Sequence, residues 1–302
     1  MATITTGSFS KDLQPGVNAW YGMKYAEYPV EHLDIFDKYT STQAFEEDVG
    51  AAMFGLAPVK TEGGAITYDT AEQGFIDRYT HVTYGLGFII TREMYEDGIA
   101  ATVALRRAGA LAFSIRQTAE TVAANVLNRA FNSSYTYGDG LELCSTAHLN
   151  KSGGTWRNEL ATAADMSEAS LEQCCIDIAG MTNDRGLKIA VRPMVLIIPK
   201  ELVFEAQRIL MSEKQSGTAD NDLNALKKLG MIPTIAVNHY LTDTDAFFIK
   251  TDCPDGMKHF ERRAPAFGTE NDFDTENARF KATFRASWGC TDKRGIFGSP
   301  GA

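Results

Sequence analysis

The stretch Tyr79-Thr80-His81-Val82-Thr83-Tyr84-Gly85-Leu86-Gly87-Phe88-Ile89-Ile90-Thr91, with the long segment 97–131 behind it, decides how the chain is read. From Thr80 the apolar side chains Val82, Tyr84, Leu86, Phe88 and Ile90 fall on alternate positions, the period of a strand with one buried face. The other face carries Tyr79, His81, Thr83, Gly85, Gly87 and Ile89, and its two glycines admit a second backbone at close range. Upstream, Thr61 to Asp69 reads as a turn followed by a short strand. The expected form is therefore a two-stranded ribbon from Val59 to Thr91. A lone ribbon is marginal in water, so it calls for a partner surface such as another copy of the chain.

A helix follows. Asp97 can cap it, and Gly98 marks the bend that starts it. Ala108, Leu111, Ile115, Ala119, Val122, Val126 and Ala130 recur in steps of three and four, with Val122 at the middle of that face. Arg107, Ser114, Gln117, Thr121, Asn125 and Asn128 line the opposite side. Ile99 to Phe131 predicts a rod of roughly 50 Å. Gly109 leaves open a break into two helices, but an isolated glycine costs only ~1 kcal/mol in a helix. The helix offers alanines and branched aliphatics and no cluster of reactive side chains, which argues for building rather than chemical conversion.

The 302 residues suffice for a large core and two domains. Hydrophobic residues are 44% and charged residues 23%, an ordinary globular balance. No apolar run is long enough to span a bilayer, and Met1 to Gly7 lacks an export signal, so the default location is cytosolic. The formal charge of −10 argues against general nucleic-acid binding, which needs lysines and arginines to displace counterions. The five cysteines, Cys144, Cys174, Cys175, Cys253 and Cys290, include no Cys-x-x-Cys pair and read as structural thiols. Cys144 and His148 share a metal-like spacing without further ligands nearby.

Residues 1–50 read as an extended arm, with turn residues at Pro15-Gly16 and many aromatics to anchor it on another surface. Ser167 to Met181 reads as a helix, Pro193 to Pro199 as a central strand, and Glu201 to Met211 as a helix with Leu202, Ala206, Ile209 and Leu210 inward. Ser212 to Asp222 reads as an exposed loop, Asn224 to Leu229 as a helix, and Thr234–Val237 and Ala246–Ile249 as strands. Residues 185–265 thus form a mixed α/β unit. In the tail, Phe280, Ala282, Phe284, Ala286 and Trp288 alternate with Arg279, Lys281, Thr283, Arg285 and Ser287, a long half-buried strand returning near the long helix. The runs Glu46-Glu47-Asp48 and Glu270 to Glu276 read as solvated surface.

No nucleophile elbow, zinc-protease motif or phosphate loop is present, and none of the five histidines stands in a recognisable catalytic context. The order of parts, by contrast, resembles the major capsid protein of tailed phages, the Hong Kong 97-type α+β fold. The words that carry this are Pro15-Gly16-Val17-Asn18-Ala19-Trp20-Tyr21-Gly22, Gly85 to Met94, Asp139-Gly140-Leu141 through His148, and Trp288 to Gly298. They are similar to those of Mu-like head subunits. The resemblance implies an N-terminal arm (1–50), an extended β-hairpin loop (51–92), a peripheral domain with a spine helix (93–184 and 266–302) and an α/β axial domain (185–265).

It further implies a non-enzymatic subunit with no cofactor or metal, joined to its own copies in hexamers and pentamers of an icosahedral shell around phage DNA. The shell would sit in the virion and its subunits be made in the host cytoplasm. A scaffolding protein, a portal and decoration proteins are the further partners implied, with no sequence-specific DNA binding and no membrane. The interface candidates are Trp20, Tyr21 and Tyr25 on the arm, and Lys60, Tyr68, Phe75, Arg78 and Tyr84 on the ribbon. Some relatives begin with a scaffolding segment that is cut away. Here the arm starts near residue 1, so that segment is expected to be separate or already removed. Others cross-link a loop lysine to an asparagine, but Lys60 has no motif fixing its partner, and that chemistry is not carried over. The rival readings are a nanocompartment shell around a cargo enzyme and, from another class, an α/β enzyme.

Overall fold

The structure is a computed structural model, and it describes residues 10–51, 54–70, 73–97, 100–214, 223–272 and 277–302. The expected bend at Gly98, the helix start at Ile99, most of the 212–222 loop and the acidic positions 273–276 lie outside the described residues.

The first elements are helix α1 (Ser10–Glu27), the short helix α2 (His32–Ile35) and strand β1 (Asp37–Thr40). A hairpin of β2 (Phe45–Ala51) and β3 (Gln73–Thr80) precedes strand β4 (Val82–Ile90), and helix α3 (Arg92–Glu96) leads to the spine α4 (Ala100–Asn128). A two-residue pair, β5 (His148–Leu149) and β6 (Thr155–Trp156), precedes helix α5 (Glu168–Ala179) and strand β7 (Pro193–Ile198). Helices α6 (Val203–Met211) and α7 (Ala225–Leu229) are followed by strands β8 (Thr234–Val237) and β9 (Phe247–Thr251). Two long strands, β10 (Met257–Asn271) and β11 (Ala278–Cys290), and the last strand β12 (Ile296–Ser299) complete the chain.

Two sheets organise these parts. The first runs β1-β10-β11-β4, with β1 parallel to β10 and the other pairs antiparallel. The spine and α1 pack on it through Val17, Tyr21, Ala108, Leu111, Ile115, Phe280 and Phe284. The second sheet runs β12-β9-β7-β8. Its core holds Leu196, Ile198, Phe247 and Phe297 against α5 and α6. A third apolar cluster, with Leu127, Leu143, Phe248 and Ile296, ties the far end of the spine to that sheet. Among the described residues no helix is long and apolar enough to cross a membrane.

The spine is one helix through Gly109, roughly 43 Å long at 1.5 Å per residue. Its buried stripe follows the expected Ala108, Leu111, Ile115 and Ala119 and then passes through Ala123, Ala124 and Leu127, all under 2% exposed. Val122, expected at mid-face, is only half-buried, and so is Val126. The cause is geometric: Val122 and Val126 border an open cavity between the spine and strands β3, β4 and β11, while Ala123 and Leu127 pack toward the second sheet. The polar side is used as well, since Gln117 Nε2 donates to Tyr240 Oη at 2.8 Å and Asn128 Nδ2 to the Tyr240 carbonyl at 3.1 Å.

Three expectations need correction. Residues 61–69 are not a strand and do not pair with 80–90. Instead β3 pairs with β2, and β4 is an edge strand on β11. The acidic run 46–48 hid β2 as plain solvated surface. Gly87 allows this pairing at close range, because a Cβ there would stand 2.5 Å from the Phe280 carbonyl oxygen. Residues 10–27 are a helix on the spine rather than an extended arm. The repeat Val17, Tyr21, Tyr25 carries the four-residue step that Pro15-Gly16 obscured. Finally, the second sheet takes its outer strand from the tail, so the 185–265 unit is completed by residues 296–299.

Candidate assembly surfaces

The β2–β3 hairpin has two dissimilar ends. At its root, strand alternation sends Asp77 and Tyr79 inward and Ile76 and Arg78 outward. Asp77 Oδ1 accepts from the Gly138 amide at 2.7 Å, and Asp77 Oδ2 accepts from Lys293 Nζ at 2.7 Å. Both side chains of that ion pair are 6% exposed. Gly138 is required here: a Cβ would lie 2.5 Å from the Ile76 carbonyl oxygen. Burial pushes the Asp77 carboxyl up, against the pull of the Lys293 ammonium. Asp139 is the reverse case. Burial opposes its ionisation too, but the His148 hydrogen bond and the Lys293 charge prevail and hold its carboxyl below the usual range.

The rest of the root is a relay of donors. Lys258 Nζ donates to Asp48 Oδ2 at 2.6 Å, and Thr291 Oγ1 donates to the same oxygen at 3.0 Å. With its hydroxyl hydrogen committed there, Thr291 accepts from Tyr79 Oη at 2.7 Å. Behind Asp139 stands His148, with Nδ1 at 2.6 Å from Asp139 Oδ2 and Nε2 at 3.0 Å from Asn158 Oδ1. Asn158 Nδ2 donates to the Leu143 and Lys293 carbonyls at 2.8 and 3.0 Å, which fixes its Oδ1 as the acceptor. Through both ring nitrogens His148 thus joins Asp139 and Asn158 in one buried hydrogen-bonded cluster.

The tip is different. Residues 54–70 form no strand, and Leu56, Val59, Ile66 and Tyr68 are 65–96% exposed. The polar ties at its neck are shallow. Asp69 Oδ2 accepts from the Gly55 amide at 2.9 Å, and Arg185 Nη2 donates to the Thr70 carbonyl at 2.9 Å. Hydrogen bonds from the Gly55 and Thr70 amides hold the Asp69 carboxyl below its ordinary value.

Lys60 and Tyr68 lie on this exposed tip. Phe75 and Arg78 lie on the hairpin, Phe75 beneath the Lys151 ammonium at 5.0 Å and Arg78 over the Phe45 ring at 3.7 Å. The other candidates are occupied within the subunit. Tyr21 stacks on Phe267 at 4.8 Å, Arg116 lies over Tyr25 at 3.9 Å, Lys24 over Trp20 at 5.0 Å, and Tyr84 stacks on Phe284 at 5.1 Å. Sequence reasoning passed over Leu56, Val59 and Ile66, whose signal was apolar residues among turn residues without any period. It also read Asp48 as part of a solvated acidic run and passed over Asp77, Lys258 and Lys293, charges far apart in the chain. Cys144 and Cys290 are fully buried, and burial pushes both thiols well up. Burial also raises Cys175, to about 11.

The comparisons with known proteins follow the same line. The family model described as phage capsid protein matches residues 76–298. Among solved structures, the fold is similar to the virus-like particle from Pyrococcus furiosus, with TM-score 0.55 and 10% identity over 94% of this chain and 98% of that one. It is similar to the capsid of an empty GTA particle, with TM-score 0.55 and 9% identity over 88% of each chain. It is also similar to the capsid of Myoviridae phage XM1, with TM-score 0.51 and 11% identity over 91% of this chain and 93% of that one. A search of curated proteins finds no match. The chain belongs to the phage capsid protein family, and its Hong Kong 97-type α+β fold is that of a major capsid protein, a structural subunit that self-assembles into the icosahedral shell of a tailed phage.

Proposed function

We propose that the shell is built from hexamers and pentamers in which the hairpin tip of each subunit lies across its neighbour, and that the shell encloses phage DNA. One observation carries this reading: the hairpin is locked at its root by buried charges, yet it exposes Leu56, Val59, Ile66 and Tyr68 at its end. Apolar side chains held outward on a fixed stem fit a cover supplied by another copy. Lys60, Tyr68, Phe75 and Arg78 are the interface residues of this arrangement. Each contact can be weak, because a subunit is held by several neighbours at once. The formal charge of −10 suits a wall that repels packaged DNA. In this reading the N-terminal segment, with helix α1 held on the spine, is the arm, the β2–β3 hairpin is the extended loop, the first sheet with the spine is the peripheral domain, and the second sheet, completed by residues 296–299, is the axial domain. A scaffolding protein, a portal and decoration proteins are the other partners, and synthesis is in the host cytoplasm.

Electron microscopy and sedimentation of the purified chain, with and without a scaffolding protein, test this. The expected result is rings or closed shells far above 33.1 kDa, resolving into sixfold and fivefold capsomers. A strictly monomeric profile across buffers and salts would contradict it.

A further inference from the structure

The edge of a sheet presents backbone N–H and C=O groups without partners, and proteins keep such edges short, charged or covered. Most edges here follow that rule. Strand β1, at one end of the first sheet, has four residues and carries Asp37 and Lys38. The outer strands of the second sheet, β8 and β12, have four residues each. In the hairpin β2 carries Glu46, Glu47 and Asp48, and β3 carries Asp77 and Arg78. The other end of the first sheet breaks the rule. Strand β4 is nine residues long, and Val82-Thr83-Tyr84-Gly85-Leu86-Gly87-Phe88-Ile89-Ile90 holds neither a charge nor a proline. Its pairing with β11 runs from Val82 to Ile90 without a bulge.

Alternate residues of β4 turn their N–H and C=O groups away from β11. Among the described residues no strand or loop backbone pairs with that outer edge. Val82, Leu86 and Ile89 on it are 47–59% exposed. A second set of unmet groups stands on the hairpin tip. Residues 65–70 are exposed and belong to no strand. Among the described residues, Ala65, Ile66, Thr67 and Tyr68 find no backbone partner. Yet Ile66, Thr67 and Tyr68 are β-branched and aromatic, the residue types that favour strands. Tip and edge do not meet within one subunit, because the neck of the tip is tied to Arg185 and β4 pairs only with β11.

We propose that the hairpin tip of one subunit adds a strand to the first sheet of a second copy, with residues 65–68 paired along the free edge of β4. This rests on the reading in which the tip crosses a neighbour, and it names where the tip lands. A second copy is the fitting occupant because the chain self-assembles, and because each copy holds both a strand former without a sheet and a sheet open at its last strand. In strand addition the main-chain bonds give affinity and the side chains give specificity. The side chains match face by face. Alternation puts Val82 and Leu86 on one side of β4, and Gly85 and Gly87 on the other. On the tip it puts Ile66 and Tyr68 on one side, and Ala65 and Thr67 on the other. Paired accordingly, large apolar side chains lie beside large apolar ones and small ones beside the glycines. A slip of one residue would set Ile66 and Tyr68 beside the glycines, so the facing is specified. The strand-like pattern of 61–69 is then realised between copies and not within one.

Hydrogen exchange read by mass spectrometry, on free subunits and on assembled shells, tests this. The amides of 65–68 and the outward amides of 82–90 should both slow on assembly, by about tenfold or more. Protection of the tip without β4 would overturn the proposal while leaving the crossing tip in place. Protection of β4 without the tip would mean that something else covers the edge, two β4 strands meeting included, and would overturn it too. A second test defends the edge with a charge. Leu86→Lys, at an exposed position, should melt like the parent and lower the yield of closed shells about tenfold or more. Normal shells from Leu86→Lys would overturn the proposal, whereas normal shells from a chain lacking residues 56–68 would overturn the crossing tip itself, so the two failures are told apart. If Leu86→Lys fails to fold, the exchange measurement on the unaltered chain decides.

Discussion

The root and the tip of one hairpin obey opposite rules. At the root, the charged groups Asp77, Lys293 and Asp139 are buried, with His148 hydrogen-bonded behind Asp139, and their partners lie within the subunit. At the tip, Leu56, Val59, Ile66 and Tyr68 are apolar and stand in solvent. A subunit folding for its own sake would invert this, burying the aliphatics and exposing the charges. The difference separates two tasks. The root fixes a direction, because buried ion pairs demand defined geometry; the tip keeps its apolar surface for a neighbour. Stability of the subunit should therefore depend on the root, and assembly on the tip.

The largest expected effect is at the root. Lys293→Met leaves Asp77 and Asp139 buried without their ammonium, and breaking such a pair from one side costs about 3–5 kcal/mol. Urea unfolding of the subunit measures it. A loss under 1 kcal/mol would show that the cluster is wetter than its burial implies.

Acid should separate the root from the body that carries it. His259 is disfavoured as a cation in the folded state, its pKa lying near 3 against an ordinary 6.5. The unfolded chain then binds more protons between those values, so stability falls as pH drops below 6.5. The loss is on the order of 2–3 kcal/mol by pH 4.5, and His259→Phe should flatten the curve. Asp139, whose carboxyl is held below 3.8, contributes stability that is lost only as pH falls past that range. A pH profile unchanged in His259→Phe would move the acid sensitivity to the root.

Gly138→Ala tests the fit of the root rather than its charge. A Cβ 2.5 Å from the Ile76 carbonyl oxygen must push the hairpin away, at a cost of about 1–3 kcal/mol. Tip substitutions should do almost nothing to the isolated subunit. Val59→Ser and Tyr68→Ser are expected within about 0.5 kcal/mol of the parent in the same unfolding experiment.

How much of this the sequence disclosed depends on the kind of signal. The spine was legible because Ala108, Leu111, Ile115 and Ala119 repeat in steps of three and four, and strand β11 because Phe280 to Trp288 alternate cleanly. Past Ala119 the stripe changes partner, and periodicity alone placed Val122 where Ala123 is buried. The hairpin was sought in the wrong residues because β2 carries Glu46-Glu47-Asp48, which resembles surface. The root eluded sequence reading altogether. Asp77 and Lys293 are 216 positions apart, and single charges announce no pairing until the fold brings them together. The tip residues were visible as letters, but exposure is a property of the surroundings they lack.

The division of labour is tested most directly by replacing residues 56–68 with a short Gly-Ser turn while keeping Asp77, Tyr79 and both strands. The shortened chain and its parent are then compared by electron microscopy after assembly and by circular dichroism on melting. The account predicts a cooperatively folded subunit, melting close to the parent, that makes no closed shells. Normal shells from the shortened chain would contradict it, and so would a subunit that no longer folds.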